Sequence, residues 1–493
     1  MSAALLPAVV LTPLAGAVLT GLAPPPRRVV AALLVGGLTT LLTGLAVAGA
    51  GSAGRYPLGG WAAPLGIELT LDALSAVFLA LTGAVTFVVF IFASATPAVR
   101  GSEAFWPLAL MLWAGLNAVY LTADLFNAYV ALELMGLAAV ALVAIGGRAA
   151  WAPALRYLFI AVLGSLVYLV GVSLIYARTG TLDMALAGER LAGGQVALSA
   201  LVLMTAAMAL KTALFPLHPW LPAAHASAPS AVSPLLSALV IKASLYLLIR
   251  VWFTVFGGQV PIALPMLLGV LGALGLVWGT AAALRRRGLK QIVAYSTVAQ
   301  VGYFFLLFPL LTPAVWAPAD PWGLATEAAR AGWTGALVLA LSHGLAKAAM
   351  FLSAGVLALA YDGDEIAGFE GAVSRLPGTV LTFAIAGVAL AGLPPTFAFT
   401  GKWQLLQAAL GSGQWWWVVM ILAGSLLTFG YTARVVRATF NQPGERNLPR
   451  VSTPPRRMTA AAFVLAVTAV VMGLAATPVM TLLDGANPIG VSG

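Results

Sequence analysis

Cysteine is absent from the 493 residues, which excludes disulfides and thiolate-held metal or iron–sulfur centres in this chain. Histidine is scarce: His218, His225 and His343 are too few for a haem or metal site built by this chain alone, so no metal and no cofactor are expected. Charge is scarce too, at 8% of residues where soluble domains carry roughly a quarter, while 61% of residues are hydrophobic. No phosphate loop, nucleotide fingerprint or zinc motif interrupts the apolar sequence. Any redox chemistry would have to reside in a partner. The net charge of +10 would suggest nucleic acid in a soluble protein, but most arginines here stand in short loops between apolar stretches, where they set topology. No nucleic-acid function follows from it.

What remains is an all-α polytopic membrane protein. At about 20 apolar residues per span, helices are predicted near 3–22, 29–49, 71–93, 106–123, 125–145, 155–177, 197–221, 231–256, 262–284, 291–311, 333–360, 378–409, 415–440 and 458–482, about fourteen in all. Residues 3–22 lack a basic leading region and a small-residue cleavage site, so a retained helix is expected there. Basic residues crowd the odd-numbered loops, among them Arg285, Arg286, Arg287, Arg375, Arg446, Arg450, Arg456 and Arg457, whereas the even-numbered loops hold only Arg55, Arg178, Arg190 and Arg330. By the positive-inside rule the odd loops are cytoplasmic and both termini lie outside. The acidic cluster Asp362, Asp364, Glu365 and Glu370 reads as a solvated loop, and Trp415, Trp416 and Trp417 as an interfacial belt.

The rest of the chain is organised around Ala209–Arg250. It places Lys211 and Lys242 inside two apolar segments, with Pro216, Pro219 and Pro222 breaking the first and His218 and His225 beside the break. A second long apolar run, 378–409, exceeds one crossing and holds Pro394 and Pro395, with Lys402 beyond them. A proline removes a backbone donor and clashes with the preceding turn, and unpaired carbonyls at membrane depth are tolerated only where they line a cavity or are bonded again by neighbours. The interrupted seventh and twelfth helices lie five apart, and an odd offset puts equivalent helices in opposite orientation. Two inverted five-helix repeats are therefore predicted, helices four to eight and nine to thirteen. The corresponding division is 1–105 for helices one to three, 106–256 and 257–440 for the repeats, and 441–493 for the last helix.

Of the five lysines, Lys211, Lys242, Lys347 and Lys402 fall inside predicted spans, and only Lys290 does not. Arginine stays protonated under nearly all conditions, but a desolvated lysine can take up and release a proton near neutral pH, so this segregation describes a proton relay. Glu133, in DLFNAYVALELMGLAAV, is the one acid near mid-span and should pair with a lysine, Lys211 being the natural partner. Such a pair couples two titrations, so that moving the carboxylate changes the proton affinity of the ammonium. His343 and Lys347, four apart in LSHGLAKAAMFLSAG, share one helix face, and the histidine suits an intermediate between lysines. His218 and His225 could gate the path or sit at the interface. Ser296, Thr297 and Gln300, in AYSTVAQVGY, could order water or bond across helices. Asp72 and Asp124 each begin an apolar run and read as helix caps.

These stretches, together with RGLKQIVAYSTVAQVGY and LAGLPPTFAFTGKW, resemble the antiporter-like subunit family shared by Mrp-type cation/proton antiporters, the membrane arm of respiratory complex I and membrane-bound hydrogenases, over roughly Asp72 to Tyr431. The resemblance implies fourteen helices, inverted repeats, broken seventh and twelfth helices, and both termini outside. By motif, Glu133 resembles the family's fifth-helix glutamate, Lys211 its seventh-helix lysine, Lys242 its eighth-helix relay lysine, His343 and Lys347 its eleventh-helix polar pair, and Lys402 its outlet lysine on the twelfth helix. The M type of complex I typically has glutamate at the last position and histidine where Gln300 stands, so lysine and glutamine favour the Mrp D type, while the N type of complex I shares the lysine.

The function implied is that of a proton-translocating subunit of a multisubunit Mrp-type sodium/proton antiporter in a bacterial plasma membrane, with a pumping subunit of complex I or a hydrogenase as the alternative. Its partners would be other membrane subunits and the lipid bilayer, and its cargo H+. Sodium wants oxygen ligands, and with Glu133 the only central carboxylate, Na+ is expected to be handled by a partner.

Overall fold

The computed structural model describes residues 2–49, 54–257, 260–316, 324–441 and 451–488. Among them twelve helices are long and apolar enough to cross a membrane, and two shorter apolar ones, Phe105–Leu121 and Pro377–Ala391, complete the fourteen predicted spans. Arg446 and Arg450, assigned to a loop by sequence, lie outside the described residues. The seventh span is indeed two pieces, Gln195–Thr212 and Trp220–Ser227, and the twelfth is Pro377–Ala391 followed by Phe397–Gly411. Each first piece ends on a left-handed residue, Ala213 (φ 60°) and Gly392 (φ 74°), and each break contains a cis X–Pro bond, Phe215–Pro216 and Pro394–Pro395. The long eleventh span, in contrast, is one continuous helix, Leu324–Tyr361.

Two local features are not legible in the sequence. A short hairpin pairs Gly54–Pro57 with Glu68–Leu71, closed by an Arg55–Glu68 ion pair of 3.2 Å. The eighth span is α-helical over Ile241–Arg250 but π-helical just before and after, at Leu236–Val240 and Val251–Val255. A π turn holds more residues than an α turn, so it re-aims the side chains that follow, and such turns recur at functional sites.

Two compact units divide the chain. The first comprises residues 1–87, 101–213 and 239–264, the second 88–100, 214–238 and 265–493. In the first, Ser2–Leu22 rests on Pro25–Ala48 and Phe105–Leu121; Leu125–Ala144 lies between Phe105–Leu121 and Arg148–Thr179; and Arg148–Thr179 covers Gln195–Thr212. In the second, Leu324–Tyr361 is the enclosed centre, surrounded by Phe397–Gly411, Arg456–Leu474, Pro377–Ala391 and Leu289–Phe305. Large apolar side chains such as Leu34, Phe159 and Leu426 remain exposed, as expected of a chain whose surroundings are hydrocarbon or other membrane subunits.

Both predicted aspartate caps are present. Asp124 accepts from the Asn127 amide at 2.6 Å and Asp72 from the Ser75 amide at 2.9 Å. The acidic loop is less solvated than its composition implies, because Asp364 accepts from the Lys290 amide (3.1 and 3.3 Å) and so caps Leu289–Phe305. Burial raises the Asp364 pKa above the ordinary carboxylate value against that amide bond. Trp415 and Trp416 are exposed as a belt would be, whereas Trp417 is buried and donates to Gln414 at 2.8 Å.

Candidate functional site

The four intramembrane lysines are buried in fact as well as in pattern. Lys242 and Lys347 are 0% exposed, Lys402 4% and Lys211 6%. An ammonium withdrawn from water is costly unless its protons are bonded, so the partners of each one decide what it can do.

In the first unit, Lys211 stands in the last turn of Gln195–Thr212, two residues before the left-handed Ala213, where the negative end of the helix dipole favours a cation. Its aliphatic stem lies in a slot left by a glycine on the neighbouring helix: a Cβ at Gly164 would come within 3.2 Å of both Lys211 Cγ and Cε. Among the described residues its ammonium makes no hydrogen bond and no ion pair within 4.0 Å; the carboxylate that acts on it electrostatically is Glu133. The predicted pair thus interacts through space and not by direct contact. Glu133 itself, on Leu125–Ala144, is only half-buried.

Lys242 is the second residue of the α-helical stretch Ile241–Arg250, and Tyr246 and Arg250 follow at four-residue steps on the same face. Arg250 Nε donates to the Tyr246 hydroxyl at 3.0 Å, and its Nη2 contacts both Asp72 carboxylate oxygens at 2.6 Å. The Tyr246 hydroxyl donates to the Tyr120 carbonyl at 2.7 Å. Burial alone would raise the Asp72 pKa, but the Arg250 guanidinium, with hydrogen bonds from Arg250 and Ser75, holds the carboxyl below its ordinary value. By sequence Arg250 reads as a span-end arginine and Asp72 only as a cap; the i, i+4, i+8 spacing of Lys242, Tyr246 and Arg250 is the available signal.

In the second unit, His343 and Lys347 sit one turn apart on Leu324–Tyr361 as predicted. Lys347 Nζ donates to the Val293 carbonyl at 2.7 Å and to the Ser296 hydroxyl, and Ser296 donates on to the same carbonyl at 2.9 Å. His343 lies edge-on to Phe304, with ring centroids 5.3 Å apart. Thr297 bonds Ser237 at 2.9 Å and Gln300 donates to Thr428 at 3.2 Å, so both fasten helices together. Lys402, in the second piece of the twelfth span, reaches back across the break: Nζ donates to the Ala391 carbonyl at 2.8 Å and to Ser425 at 2.9 Å, and lies 4.6 Å from the centre of the Tyr303 ring. Ala391 ends the first piece, so its carbonyl is one the break leaves without an amide of its own helix. Ser425, Tyr303 and Gly392 escape sequence reading; Ser425 and Thr428, three apart in an apolar span, are the visible sign.

The two remaining histidines stack on aromatic rings. His218 is parallel to Phe215 with centroids 5.5 Å apart, and His225 to Phe351 at 4.8 Å. Pro216, Pro219, Pro394 and Pro395 are all exposed at their breaks. Among the described residues no group of three or more His, Cys, Asp or Glu side chains could hold a metal ion.

Residues 122–317 and 322–428 match the family described as NADH:quinone oxidoreductase/Mrp antiporter, transmembrane. The chain is 36% identical over 441 residues to the NADH-quinone oxidoreductase subunit N of Desulforudis audaxviator, covering 85% of this chain and 84% of that one. It is 31% identical over 377 residues to the D-type subunit of the Na(+)/H(+) antiporter of Alkalihalophilus pseudofirmus, covering 75% and 73%. Its fold matches a chain in the structure of the Mrp complex from a Dietzia species with a TM-score of 0.88 at 25% identity, over 100% of this chain and 98% of that one. With well over half its length inside the matched family and relatives this similar along most of their length, the chain belongs to the NADH:quinone oxidoreductase/Mrp antiporter transmembrane family.

Proposed function

We propose that this chain is a proton-translocating subunit of a multisubunit, Mrp-type sodium/proton antiporter. The observation that carries the reading is the set of four buried lysines, one beside each helix break and two on enclosed helices, in a chain that keeps almost every arginine at a loop or span end. A fixed structural cation would be served better by arginine, whereas a desolvated lysine exchanges its proton. Protons would load Lys211 under the control of Glu133, pass by Lys242 and the His343 and Lys347 helix, and leave by Lys402. Glu133 acts on Lys211 through space without a bond to it, and in this reading the carboxylate would gate the ammonium by approaching and withdrawing. The protein would sit in a bacterial plasma membrane with both termini outside, its helices four to eight and nine to thirteen forming inverted repeats, and Na+ handled by a partner.

The test is exchange in vesicles carrying the assembled complex: Lys211→Ala should abolish sodium-dependent pH change, and unimpaired exchange would sink the path. A second reading, a pumping subunit of a redox-driven complex, is favoured by the 36% identity to an N-type oxidoreductase subunit and by the lysine at position 402. The same lysines would then be driven by a redox module elsewhere. The chains that co-purify with this one decide between the two, small membrane subunits for the first and hydrophilic redox subunits for the second.

A further inference from the structure

The eighth span ends beside a cavity that the proton path does not use. It measures about 230 Å³, belongs to the first unit, and is lined by the charged side chains of Arg55, Asp72, Asp183 and Arg250. Arg55, whose side chain is 57% exposed, marks its rim at the surface, and a polar space of this size holds several waters. Tyr246 and Lys242 precede Arg250 on one helix face, so a buried lysine of the path stands about 12 Å of helix from that water. A proton crossing the interval would dissipate the gradient without moving sodium.

Three features close the interval. Arg250 Nη2 reaches both Asp72 oxygens at 2.6 Å, its Nε donates to the Tyr246 hydroxyl at 3.0 Å, and the guanidinium lies 5.0 Å from the centre of the Tyr246 ring. Around that ring the side chains of Phe78, Tyr120 and Tyr246 meet with centroids 5.1, 5.5 and 5.7 Å apart, all of them fully buried. The one hydroxyl proton of Tyr246 is spent on the Tyr120 carbonyl at 2.7 Å, an acceptor that has no proton to hand on. A guanidinium keeps its proton, so Arg250 cannot serve as a relay, and its fixed charge repels a passing hydronium. Fastening alone does not ask for this arrangement. Arg55 closes the neighbouring hairpin onto Glu68 from an exposed position, whereas the Arg250 side chain is only 19% exposed and set over an aromatic ring.

We propose that Arg250, tied by Asp72 and seated on the Phe78, Tyr120 and Tyr246 rings, is a proton-tight plug between Lys242 and this cavity. The inference rests on the transport reading, in which Lys242 carries protons, but its readout is passive leak and not exchange. Vesicles carrying the assembled complex are given a pH gradient without sodium, with the membrane potential clamped, and the decay is followed with a pH-sensitive dye. Arg250→Gln should speed the decay roughly tenfold over wild type, from the barrier that a nearby unit charge sets against a passing cation. Adding Lys242→Ala to that variant should slow the leak again, because the leak runs along the same helix face. Asp72→Asn keeps the guanidinium but unties it, and should leak more than wild type and less than Arg250→Gln. Decay at the wild-type rate in an assembled Arg250→Gln complex overturns the proposal. So does a leak that Lys242→Ala leaves untouched, which would be a general defect of the fold. Should Arg250→Gln fail to assemble, Asp72→Asn decides, and a wild-type rate there is equally fatal. Exchange is read separately with sodium present: a wild type without exchange, with the leak still appearing in Arg250→Gln, would remove the transport reading and leave the plug standing.

Discussion

The two broken helices end alike and hold their lysines differently. At the twelfth, Lys402 is tied down by the Ala391 carbonyl, the Ser425 hydroxyl and the Tyr303 ring. At the seventh, Lys211 lies in a glycine slot with no hydrogen bond among the described residues, and Glu133 acts on it only through space. One break bonds its ammonium in place, and the other leaves its ammonium with a carboxylate that acts on it only through space. A charge with fixed partners makes a dependable station, whereas one whose partner is adjustable makes a switch.

The largest expected effect tests that asymmetry directly. Lys211→Ala should reduce sodium-dependent exchange in vesicles to background, and Lys211→Arg should not restore it, because a guanidinium holds its proton. Glu133→Gln should retain exchange but move its pH profile toward acid, since removing the negative charge weakens proton loading; a superimposable profile would show that the two groups do not interact. The comparison is sharpened by the two glycines. Gly392→Ala meets both a left-handed backbone and a Cβ 2.7 Å from Lys402 Cδ, and should cost about 2 kcal/mol in thermal unfolding. Gly164→Ala brings a Cβ only to 3.2 Å from the flexible Lys211 stem and should cost about 1 kcal/mol or less, showing instead in the pH profile.

A last, comparably small effect concerns the ion pair two turns beyond Lys242. Because Arg250 depresses the Asp72 pKa, the pair contributes its stability fully above the ordinary aspartate value of about 3.9, and loses it only as pH falls through the lower folded value. Asp72→Asn should therefore cost about 1 kcal/mol at neutral pH, discounted for partial exposure. The difference from wild type should persist on acidification to about pH 4 and close below it.

Much of this site is legible in the residues alone. Lysines at mid-span stand out because hydrocarbon excludes charge, and the prolines announce broken helices because they cannot donate to the preceding turn. The i, i+4 spacing places His343 and Lys347 on one face. What spacing cannot convey is which helices meet. Ser425 with Lys402, Ser296 with Lys347 and Asp72 with Arg250 are joined across 23, 51 and 178 residues of chain. The π turns around Ile241–Arg250 stay hidden because apolar periodicity does not separate an α turn from a π turn in a segment buried on all sides.

The sequence alone therefore determined the membrane class, the fourteen spans, the two breaks and the identity of the titratable residues, all consequences of what each residue costs in lipid or does to its own helix. Only the tertiary structure decided whether each lysine is bonded or waiting. That Lys402 has three partners while Lys211 has a glycine slot and a carboxylate out of reach depends on how neighbouring helices approach, and helix approach is set by packing between segments distant in the chain.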